Sequence, residues 1–384
     1  MLAINFRLKK DSEKKYLDQV IECVKADKKK CDRKLRAFVD FLDPDDDLKT
    51  KFKNRAEEFN KDTKYKEFGY LCMWLVMQYE DMNTVRELIS DRVKTEIEGM
   101  VQAAENLSPP VKLEKSQFYR TLKKQISRNK LTEKQIEDIF NNGSLWMKKY
   151  DEFCEYFNLF QKGYEEKFTQ KGINAWIVEQ TGLRVCPYCN ILYTYNRGDK
   201  ATAQMDHFFP KAEYPMFALS FYNLVPSCPA CNHVKHDKEG IVSPYRDGAF
   251  STMHIGWTLS GSSKGKLEDM IHLEIGTDVV EEQNNIDTLK LEEAYEHHRD
   301  YAAEIIRKAE IYSNEYTRRM IRYIFIAEER KYMGGDKTGT VPSVRPWITE
   351  EEIDRFYFGN YLEEEDYRKR SLAKLTGDIV KTYI

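Results

Sequence analysis

The sequence lacks the features of a membrane-spanning or secreted protein. No run of about 18 or more apolar residues, the length that a transmembrane helix needs, occurs in its 384 residues. The opening stretch MLAINFRLKK has no apolar segment of the kind that marks a signal peptide. Four of the eight cysteines, Cys23, Cys31, Cys72 and Cys154, are scattered through helical patterns and do not suggest a disulfide framework. We therefore expect a cytoplasmic protein in which these four are buried free thiols.

The sequence also lacks the motifs of a nucleotide-driven enzyme. It has no P-loop, no dinucleotide-binding fingerprint, no internal repeat and no low-complexity tract. Its formal net charge is −3, from 61 basic and 64 acidic residues, so overall charge does not indicate a partner. Residues 251–384 are acidic, with 19 Lys or Arg and 26 Asp or Glu. An acidic surface repels DNA, which favours packing, partner binding or autoinhibition for this part of the chain.

Most of the chain has the apolar spacing of helices. The stretch FGYLCMWLVMQY, from Phe68 to Tyr79, is apolar on nearly all sides and is predicted to be the buried centre of a helical bundle. After residue 251, MHIGWTLS and MIHLEIG alternate like two short strands, and helices follow. The predicted fold is mainly α. It has a helical N-terminal domain (residues 1–180), a small zinc-containing domain (181–250) and an acidic, mostly helical region with a short β-hairpin (251–384).

Two stretches of the N-terminal half are locally basic. Residues 25–36 carry seven Lys or Arg against two Asp, and residues 112–130 carry seven against one Glu. Such runs can follow a phosphate backbone, although a solvated helix face is the commoner explanation. The second run, in which Phe118 and Tyr119 interrupt the basic residues, is the preferred nucleic-acid contact outside residues 181–250.

The remaining four cysteines form two closely spaced pairs, in the sequences CPYCN and CPACN. Cys186 and Cys189 make the first pair, and Cys228 and Cys231 make the second. Four thiolates in two such pairs can bind one tetrahedral ion, and the softness of thiolate favours zinc. Because cysteine fills all four positions, the ion is predicted to be structural. Two unrelated pairs, or a redox pair of the thioredoxin type, are the alternatives.

Between the two pairs lies a second group of polar residues, on two predicted strands. Asp206 and His207 lie in the alternating run AQMDHFF, which is typical of a strand. A second short strand is predicted from Tyr222 to Val225, where it carries Asn223 and is stopped by Pro226.

The second cysteine pair opens a predicted helix that runs from Pro229 to about Lys238. It carries Asn232, with Lys235 and His236 on the same face. A carboxylate on the first strand and the amide of Asn232 are hard oxygen ligands suited to Mg²⁺. The histidine next to that carboxylate, neutral near pH 7, can take a proton from an attacking water. Metal, base and phosphate together indicate phosphodiester hydrolysis.

The segment from CPYCN through QMDHFFPK to CPACNHVKHDK resembles an HNH endonuclease domain, the ββα-metal fold, in its version with a four-cysteine, treble-clef zinc site. The family pattern is an Asp-His on the first strand, an Asn on the second and a His or Asn on the helix. The resemblance implies that Asp206 and Asn232 bind a single catalytic Mg²⁺ or Mn²⁺. It also implies that His207 is the general base, and that Asn223 fixes the loop and orients His207.

Other residues near the motif have two interpretations each. His236 is an alternative ligand in place of Asn232, because some family members place a His one turn further along the helix; otherwise it is a solvated side chain. Lys235 is either a contact to the scissile phosphate or an ordinary exposed lysine. Lys211, after FFP, is a weaker phosphate candidate. His233 points elsewhere by helical spacing and is predicted on the surface.

The sequence favours a metal-dependent DNA endonuclease that leaves a 5′-phosphate. The combination of DHFFPK and CPACN with large helical flanks is similar to nuclease subunits of bacterial anti-phage systems, such as the Septu type. That resemblance implies an ATPase subunit as partner, whereas the lack of apolar runs indicates no membrane association, and an oligomer is compatible with both. The alternatives are a solitary restriction-type HNH enzyme, an RNase, or a non-catalytic zinc module that binds nucleic acid or protein.

The basic run at residues 112–130 is predicted to add salt-sensitive affinity for duplex DNA. Replacing Lys123, Lys124 and Arg128 with Ala should reduce the slope of log affinity against log salt concentration, by about 0.9 for each phosphate interaction that the substitutions remove. Titration of a labelled duplex at several salt concentrations measures this slope. An unchanged slope would instead favour a solvated helix face.

Overall fold

The computed structural model of the chain describes residues 7–104, 145–246, 252–260, 266–333 and 349–384. Helices dominate these ranges, as the sequence predicts. The helices are α1 (Lys10–Val20), α2 (Lys28–Leu42), α3 (Asp46–Asn60), α4 (Gly69–Leu75), α5 (Tyr79–Ala104), α6 (Leu145–Gly163), α7 (Ile173–Thr181), α8 (Pro229–Lys235), α9 (Leu267–Met270), α10 (Val280–Leu289), α11 (Leu291–Glu296), α12 (Arg299–Ser313), α13 (Glu315–Met333), α14 (Glu350–Phe358) and α15 (Ala373–Lys381). The strands are β1 (Gln204–His207), β2 (Leu224–Ser227), β3 (His254–Leu259) and β4 (Ile271–Gly276). Among the described helices, none has both the length and the apolar character that a membrane crossing requires.

Helix α4 lies at the centre of the N-terminal helices, as its apolar sequence predicts. All of its residues are buried, and Trp74 has no exposed surface. The Trp74 ring packs against Phe38 of α2 and Phe217, with ring centroids 6.0 Å and 5.6 Å away. Phe217 belongs to the loop between β1 and β2, so the helical bundle and that loop share one core.

Hydrogen bonds attach the loop between β1 and β2 to the N-terminal helices. Trp74 Nε1 donates to the Met216 carbonyl at 2.8 Å, and the Tyr16 hydroxyl donates to the Leu219 carbonyl at 2.8 Å. The Ser220 hydroxyl donates to the Trp74 carbonyl at 3.1 Å. These bonds satisfy backbone groups that would be expensive to bury unpaired, and they fix the loop's position.

Strands β1 and β2 form a two-stranded antiparallel sheet in which Asp206 lies opposite Val225. The predicted limits of the second strand are wrong by two residues. Asn223 ends a 3₁₀ turn, Phe221–Asn223, and the strand begins after it. Pro226 does not stop the strand but pairs with Met205 inside it. A proline fits there because each strand of a two-stranded sheet has an outer edge, where no backbone N–H is needed.

Helix α8 is shorter than predicted, since it ends at Lys235 instead of continuing to Lys238. Pro229 lies in its first turn, and Cys228 caps it by accepting a hydrogen bond from the Cys231 N–H. His236 follows the last helical residue with a φ of 50°. The prediction that His236 shares a helix face with Asn232 is therefore wrong.

The C-terminal region follows the predicted order of elements. Strands β3 and β4 pair antiparallel, as their alternating sequences predict. Helix α14 begins with a capping box formed by Thr349 and Glu352, which the sequence T-x-x-E also predicts. Residues 261–265, which connect the two strands of this hairpin, lie outside the described residues, as does the basic run at residues 112–130.

The first basic run, residues 25–36, lies largely on α2 and is partly neutralised by carboxylates. Lys25 pairs with Glu166, Lys29 with Glu67, and Arg36 with Asp32 at 3.6 Å. This pattern favours the solvated-face interpretation for the first run.

Buried side chains from residues 1–180, 181–250 and 251–384 all contribute to one contiguous hydrophobic cluster. Trp74, Phe217 and Ile305 represent the three parts of that cluster. The division into three domains stays a prediction from sequence, and packing within the described residues joins the three parts closely.

Candidate active site

The four cysteines of the two CxxC pairs come together as predicted. Their sulfur atoms all lie within 4.8 Å of one another, and all four residues are buried. Cys189 Sγ and Cys228 Sγ are 3.9 Å apart, close to the roughly 3.8 Å expected between ligands of a tetrahedral ion with Zn–S bonds of about 2.3 Å. The donor set and its geometry therefore fit one zinc ion. Within the described ranges this is the only such group of three or more Cys, His, Asp or Glu residues.

Backbone N–H groups point at the sulfur atoms of the cluster. The Ile191 N–H donates to Cys189 Sγ at 3.4 Å, and the Cys228 N–H donates to Cys186 Sγ at 3.3 Å. Asn190, directly after the first pair, has a φ of 54°, which is the tight turn that favours asparagine there. Such N–H groups stabilise negative charge on sulfur, as thiolate ligands require.

The C-terminal region holds the first cysteine pair in place. The Asn190 side chain donates to the Tyr367 carbonyl at 2.8 Å and accepts from the Lys374 N–H at 2.9 Å. The Tyr295 hydroxyl donates to the Cys189 carbonyl at 2.6 Å. The four-cysteine cluster is thus supported by residues that lie far away in sequence.

The other four cysteines, Cys23, Cys31, Cys72 and Cys154, are buried free thiols, as expected. Burial raises the pKa of Cys31 to about 12 and that of Cys154 to about 12. A thiol with such a pKa carries almost no thiolate at neutral pH, so these cysteines are structural rather than reactive.

Asp206 is buried at the junction of β1, α8 and the first cysteine pair. Its Oδ1 accepts from Lys235 Nζ at 3.0 Å, and its Oδ2 accepts from the Tyr188 hydroxyl at 2.6 Å. The side chains of Asp206 and Lys235 are 2% and 0% exposed. Burial raises the pKa of Asp206, while Lys235 and Tyr188 oppose that shift.

This arrangement does not fit a magnesium ion on Asp206. Both carboxylate oxygens already have donors, and one donor is an ammonium group, whose charge would repel a divalent cation. The Asn232 side chain donates to Gln204 Oε1 at 2.7 Å. His236, the alternative ligand, is exposed and bonds to Asp237 at 2.8 Å.

His207 is oriented by the loop between β1 and β2. Its Nε2 lies 3.0 Å from the Ala218 carbonyl, which can only accept, so Nε2 is the protonated nitrogen. The described residues provide no partner for Nδ1, which is therefore the basic nitrogen. The Tyr164 ring packs edge-on at 4.4 Å between centroids. Burial, followed by Lys211 and Lys235, lowers the pKa of His207 to about 3, so the ring is neutral at physiological pH.

Asn223 fixes the two ends of the same loop. Its Oδ1 accepts from the Phe209 N–H at 2.7 Å, and its Nδ2 donates to the carbonyls of Phe209 and Phe217 at 3.1 Å each. Its backbone carbonyl accepts from the Phe208 N–H at 2.9 Å. These partners lie one or two residues after His207 or one residue before Ala218, so Asn223 links the backbone beside both of them.

The phosphate candidates lie in different surroundings. Lys235 is neither exposed nor turned to solvent, because its Nζ donates to Asp206 and, at 3.0 Å, to the His207 carbonyl. The Lys211 side chain is partly exposed, and its Nζ lies 5.1 Å from the Tyr164 ring centroid and bonds to Glu165 at 2.8 Å. Lys211 is thus the better placed cation near His207. His233 is exposed, as predicted.

Sequence reasoning missed three partners of the predicted residues: Tyr188, Tyr164 and Ala218. Tyr188 stands between the first two cysteines, and its position next to a predicted metal site was a usable signal. The sequence contains no such signal for the other two partners. Tyr164 lies just after α6, far from His207 in sequence, and Ala218 contacts His207 through its backbone carbonyl.

The comparisons with known proteins show a partial similarity. Over 125 residues the chain is 32% identical to "Septu protein PtuB" of Bacillus thuringiensis. The match covers 28% of this chain and 46% of that protein, so the chain spans less than half the length of this relative. No family model matches the chain, and no solved structure matches it. The chain is thus distantly similar to a Septu protein over part of its length.

Loss of a cluster cysteine is expected to unfold the protein rather than only inactivate it. Structural zinc contributes on the order of 10 kcal/mol to the folding of zinc-finger peptides, so Cys186→Ser or Cys228→Ser should lower soluble yield, zinc content and Tm together. Metal analysis and thermal unfolding measure these quantities. Cys23→Ala, a change at a buried cysteine outside the cluster, should retain the zinc. A zinc-free Cys228→Ser protein with parental Tm would contradict the structural assignment.

Removal of the Lys235 ammonium is expected to be strongly destabilising. Lys235→Met leaves the Asp206 carboxylate buried without its counter-charge and should lower the free energy of unfolding by about 3–5 kcal/mol. The exposed Lys238→Met control should change it by no more than about 0.5 kcal/mol. Chemical denaturation measures both. Adding Asp206→Asn should recover part of the loss, and strict additivity of the two changes would argue against the ion pair.

Proposed function

We propose that this chain is a DNA endonuclease of the HNH type, with His207 as its general base. The observation that carries the proposal is the orientation of His207. The Ala218 carbonyl fixes the proton on Nε2, and burial keeps the ring neutral, which together leave Nδ1 as a proton acceptor. A histidine that served only the core would be expected to have partners for both nitrogens.

In the proposed reaction, Nδ1 of His207 takes a proton from a water molecule. The resulting hydroxide attacks phosphorus, the bond between phosphorus and the 3′ oxygen breaks, and that oxygen takes a proton from solvent. The products are a 5′-phosphate and a 3′-hydroxyl, and His207 then returns its proton to water. A phosphodiester close to the ring brings negative charge, which raises the pKa of His207 and makes it a stronger base in the complex than in the free protein.

Two further residues have proposed roles at this site. Asn223 positions His207, since its side chain bonds to the backbone on both sides of the loop. Lys211 contacts the scissile phosphate, because it is the partly exposed cation beside Tyr164. Its bond to Glu165 is exposed and therefore weak enough to exchange for a phosphate.

Magnesium or manganese on Asp206 and Asn232 stays a prediction. Binding there requires Lys235 to release the carboxylate, so a divalent-ion requirement would imply that the site rearranges. Removing divalent ions while zinc is retained, and then restoring magnesium, tests whether cleavage needs such an ion.

We further propose that the chain acts in anti-phage defence with a protein partner. The distant similarity to a Septu protein supports this role, and the resemblance to Septu-type nuclease subunits suggests an ATPase as the partner. The acidic composition of residues 251–384 suits a protein-docking surface better than a DNA-binding one. Co-purification with the product of a neighbouring ATPase gene tests the partnership.

A non-catalytic zinc module is the second candidate, and a specific observation favours it. Lys235 and Tyr188 occupy both oxygens of Asp206, which suits a structural role for that carboxylate. A module of this kind binds nucleic acid or protein without cutting it. Mutation of His207 distinguishes the two candidates, because only an enzyme would lose its rate of DNA cleavage with that side chain.

His207→Ala is expected to reduce DNA cleavage by about 10²–10⁴-fold, which is the usual contribution of a positioned base. Fold, zinc content and DNA binding should be unchanged. Single-turnover cleavage of a plasmid measures the rate, and the exposed His233→Ala is the matched control. The parental rate in His207→Ala would overturn the mechanism, and an RNA cut in preference to the plasmid would assign the RNase alternative.

The pH dependence follows from the pKa of His207. Only the neutral ring can accept a proton, and it predominates above a pKa of about 3 in the free protein. We therefore expect kcat/KM, which reports the protonation state of the free protein, to be constant between about pH 6 and 8. It should not rise with pH through the ordinary histidine pKa near 6.5.

A further inference from the structure

A cleft next to the first cysteine pair combines tyrosines with cations. It has a volume of about 610 Å³ and is lined by Arg184, Tyr193, Tyr195, Tyr361, Lys369 and Arg370. Among the described residues, no carboxylate lines it. Both the basic run RKR and Tyr361 come from residues 251–384, whose overall composition is acidic. Local charge in this cleft is thus opposite to that of the region as a whole.

Backbone hydrogen bonds join the segments that line the cleft. The Thr194 N–H donates to the Arg184 carbonyl at 2.9 Å, and Val185 pairs with Tyr193 in an antiparallel bridge. On the other side, the Arg184 N–H donates to the Arg368 carbonyl at 3.1 Å. Arg184 is therefore fixed between the two walls, and the cleft is a built feature of the fold.

The two tyrosines of the first wall face solvent together. Tyr193 lies in the antiparallel bridge to Val185, and Tyr195 follows it by two residues. Their ring centroids are 5.5 Å apart, and they are 48% and 44% exposed. Adjacent exposed aromatic rings on a protein surface indicate a binding function more often than isolated ones do.

The cations of the cleft surround its third tyrosine. Lys369 Nζ lies 5.2 Å from the centroid of the Tyr361 ring, and the Arg370 guanidinium lies 5.6 Å from it. Lys369 also pairs with Asp366, and Arg370 donates to the Gly359 carbonyl at 2.7 Å. The described residues give the Arg184 guanidinium no partner, so its charge is available to a ligand.

An acidic cleft bounds this surface beyond Tyr361. Its lining includes Glu351, Glu352, Asp354, Glu363 and Asp366. Tyr361 lines both clefts; phosphate is repelled by the carboxylates of the acidic one and attracted by Arg184, Lys369 and Arg370 in the basic one. The charge distribution therefore defines where a polyanion can lie.

We propose that this basic, tyrosine-lined cleft binds a single-stranded segment of the DNA substrate. Aromatic rings stack on exposed bases while neighbouring cations bind the phosphates, which is how single strands are bound without sequence preference. A duplex offers no free base faces to Tyr193 and Tyr195, so the cleft distinguishes single strands from duplexes. The inference rests on the proposed function in taking DNA as the substrate, and it narrows that substrate to DNA with an unpaired segment.

Binding is tested in the zinc-loaded chain of residues 1–384 carrying His207→Ala, so that cleavage does not interfere. Fluorescence anisotropy follows a labelled oligothymidine of about 20 nucleotides, longer than the roughly 4–16 nucleotides that comparable single-strand sites cover. Adding Tyr193→Ala and Tyr195→Ala should weaken single-strand binding by at least about tenfold and leave duplex affinity nearly unchanged. Tyr316→Ala with Tyr323→Ala is the matched control, since these tyrosines are 74% and 69% exposed on α13.

Two further variants separate stacking from charge. Tyr193→Phe with Tyr195→Phe keeps the ring faces and should retain the affinity. Arg184→Ala should reduce the slope of log affinity against log salt by about 0.7, the value for one phosphate contact on a single strand. Parental affinity of the double alanine variant, with its zinc and Tm intact, would overturn the proposal, and so would an equal loss for duplex and single strand.

The outcome is independent of the test of His207. If cleavage depends on His207 but the tyrosine variants bind single strands normally, the proposed role of the cleft is refuted and the mechanism is not. Single-strand binding that depends on the tyrosines, in a protein whose cleavage ignores His207, would refute the mechanism and leave the cleft in place.

Discussion

The buried ion pair between Asp206 and Lys235 is the interaction on which the candidate site depends. A charge enclosed without its partner costs several kcal/mol, so strand β1 and helix α8 cannot shift relative to each other without breaking the pair. Tyr188 extends the constraint to the first cysteine pair, because its hydroxyl binds the same carboxylate. Lys235 also binds the carbonyl of His207, so the residue that would act on water is fixed by the same network.

The surrounding helices contribute to the site as directly as the four-cysteine cluster does. Ala218, which orients His207, belongs to a loop whose backbone bonds to Trp74 and Tyr16 of the N-terminal helices. The Asn223 side chain donates to the Phe217 carbonyl within that loop, and the Phe217 ring packs against Trp74. The histidine is therefore positioned by the bundle as well as by its own strand. A fragment limited to residues 181–250 would keep β1 and Asn223 but lack the hydrogen bonds that Trp74 and Tyr16 make to the loop.

Residue types and spacing predicted much of this site, and only the fold supplies the rest. The doubled CxxC pattern specified the four-sulfur cluster because tetrahedral thiolate sites need that spacing. The apolar stretch around Trp74 predicted the centre of the bundle because a helix that is apolar on nearly all sides is normally buried. The burial of Lys235 was not predictable, since a lysine is normally exposed and only tertiary contacts show that its charge is enclosed. The prediction that Pro226 stops the second strand was wrong because a proline is tolerated at the outer edge of a strand. Which edge it faces is known only from the folded two-stranded sheet.

The bonds between Asn190 and the C-terminal region also determine when the first cysteine pair gains its full support during synthesis. Lys374, whose N–H binds the Asn190 side chain, follows it by 184 residues. A ribosome adding about 5–20 residues per second needs roughly 10–40 s to cover that distance. During this interval the first cysteine pair has been made but lacks the segment that supports it. The nascent chain thus passes through a period in which the first cysteine pair lacks these bonds, and they form only after Lys374 has been translated.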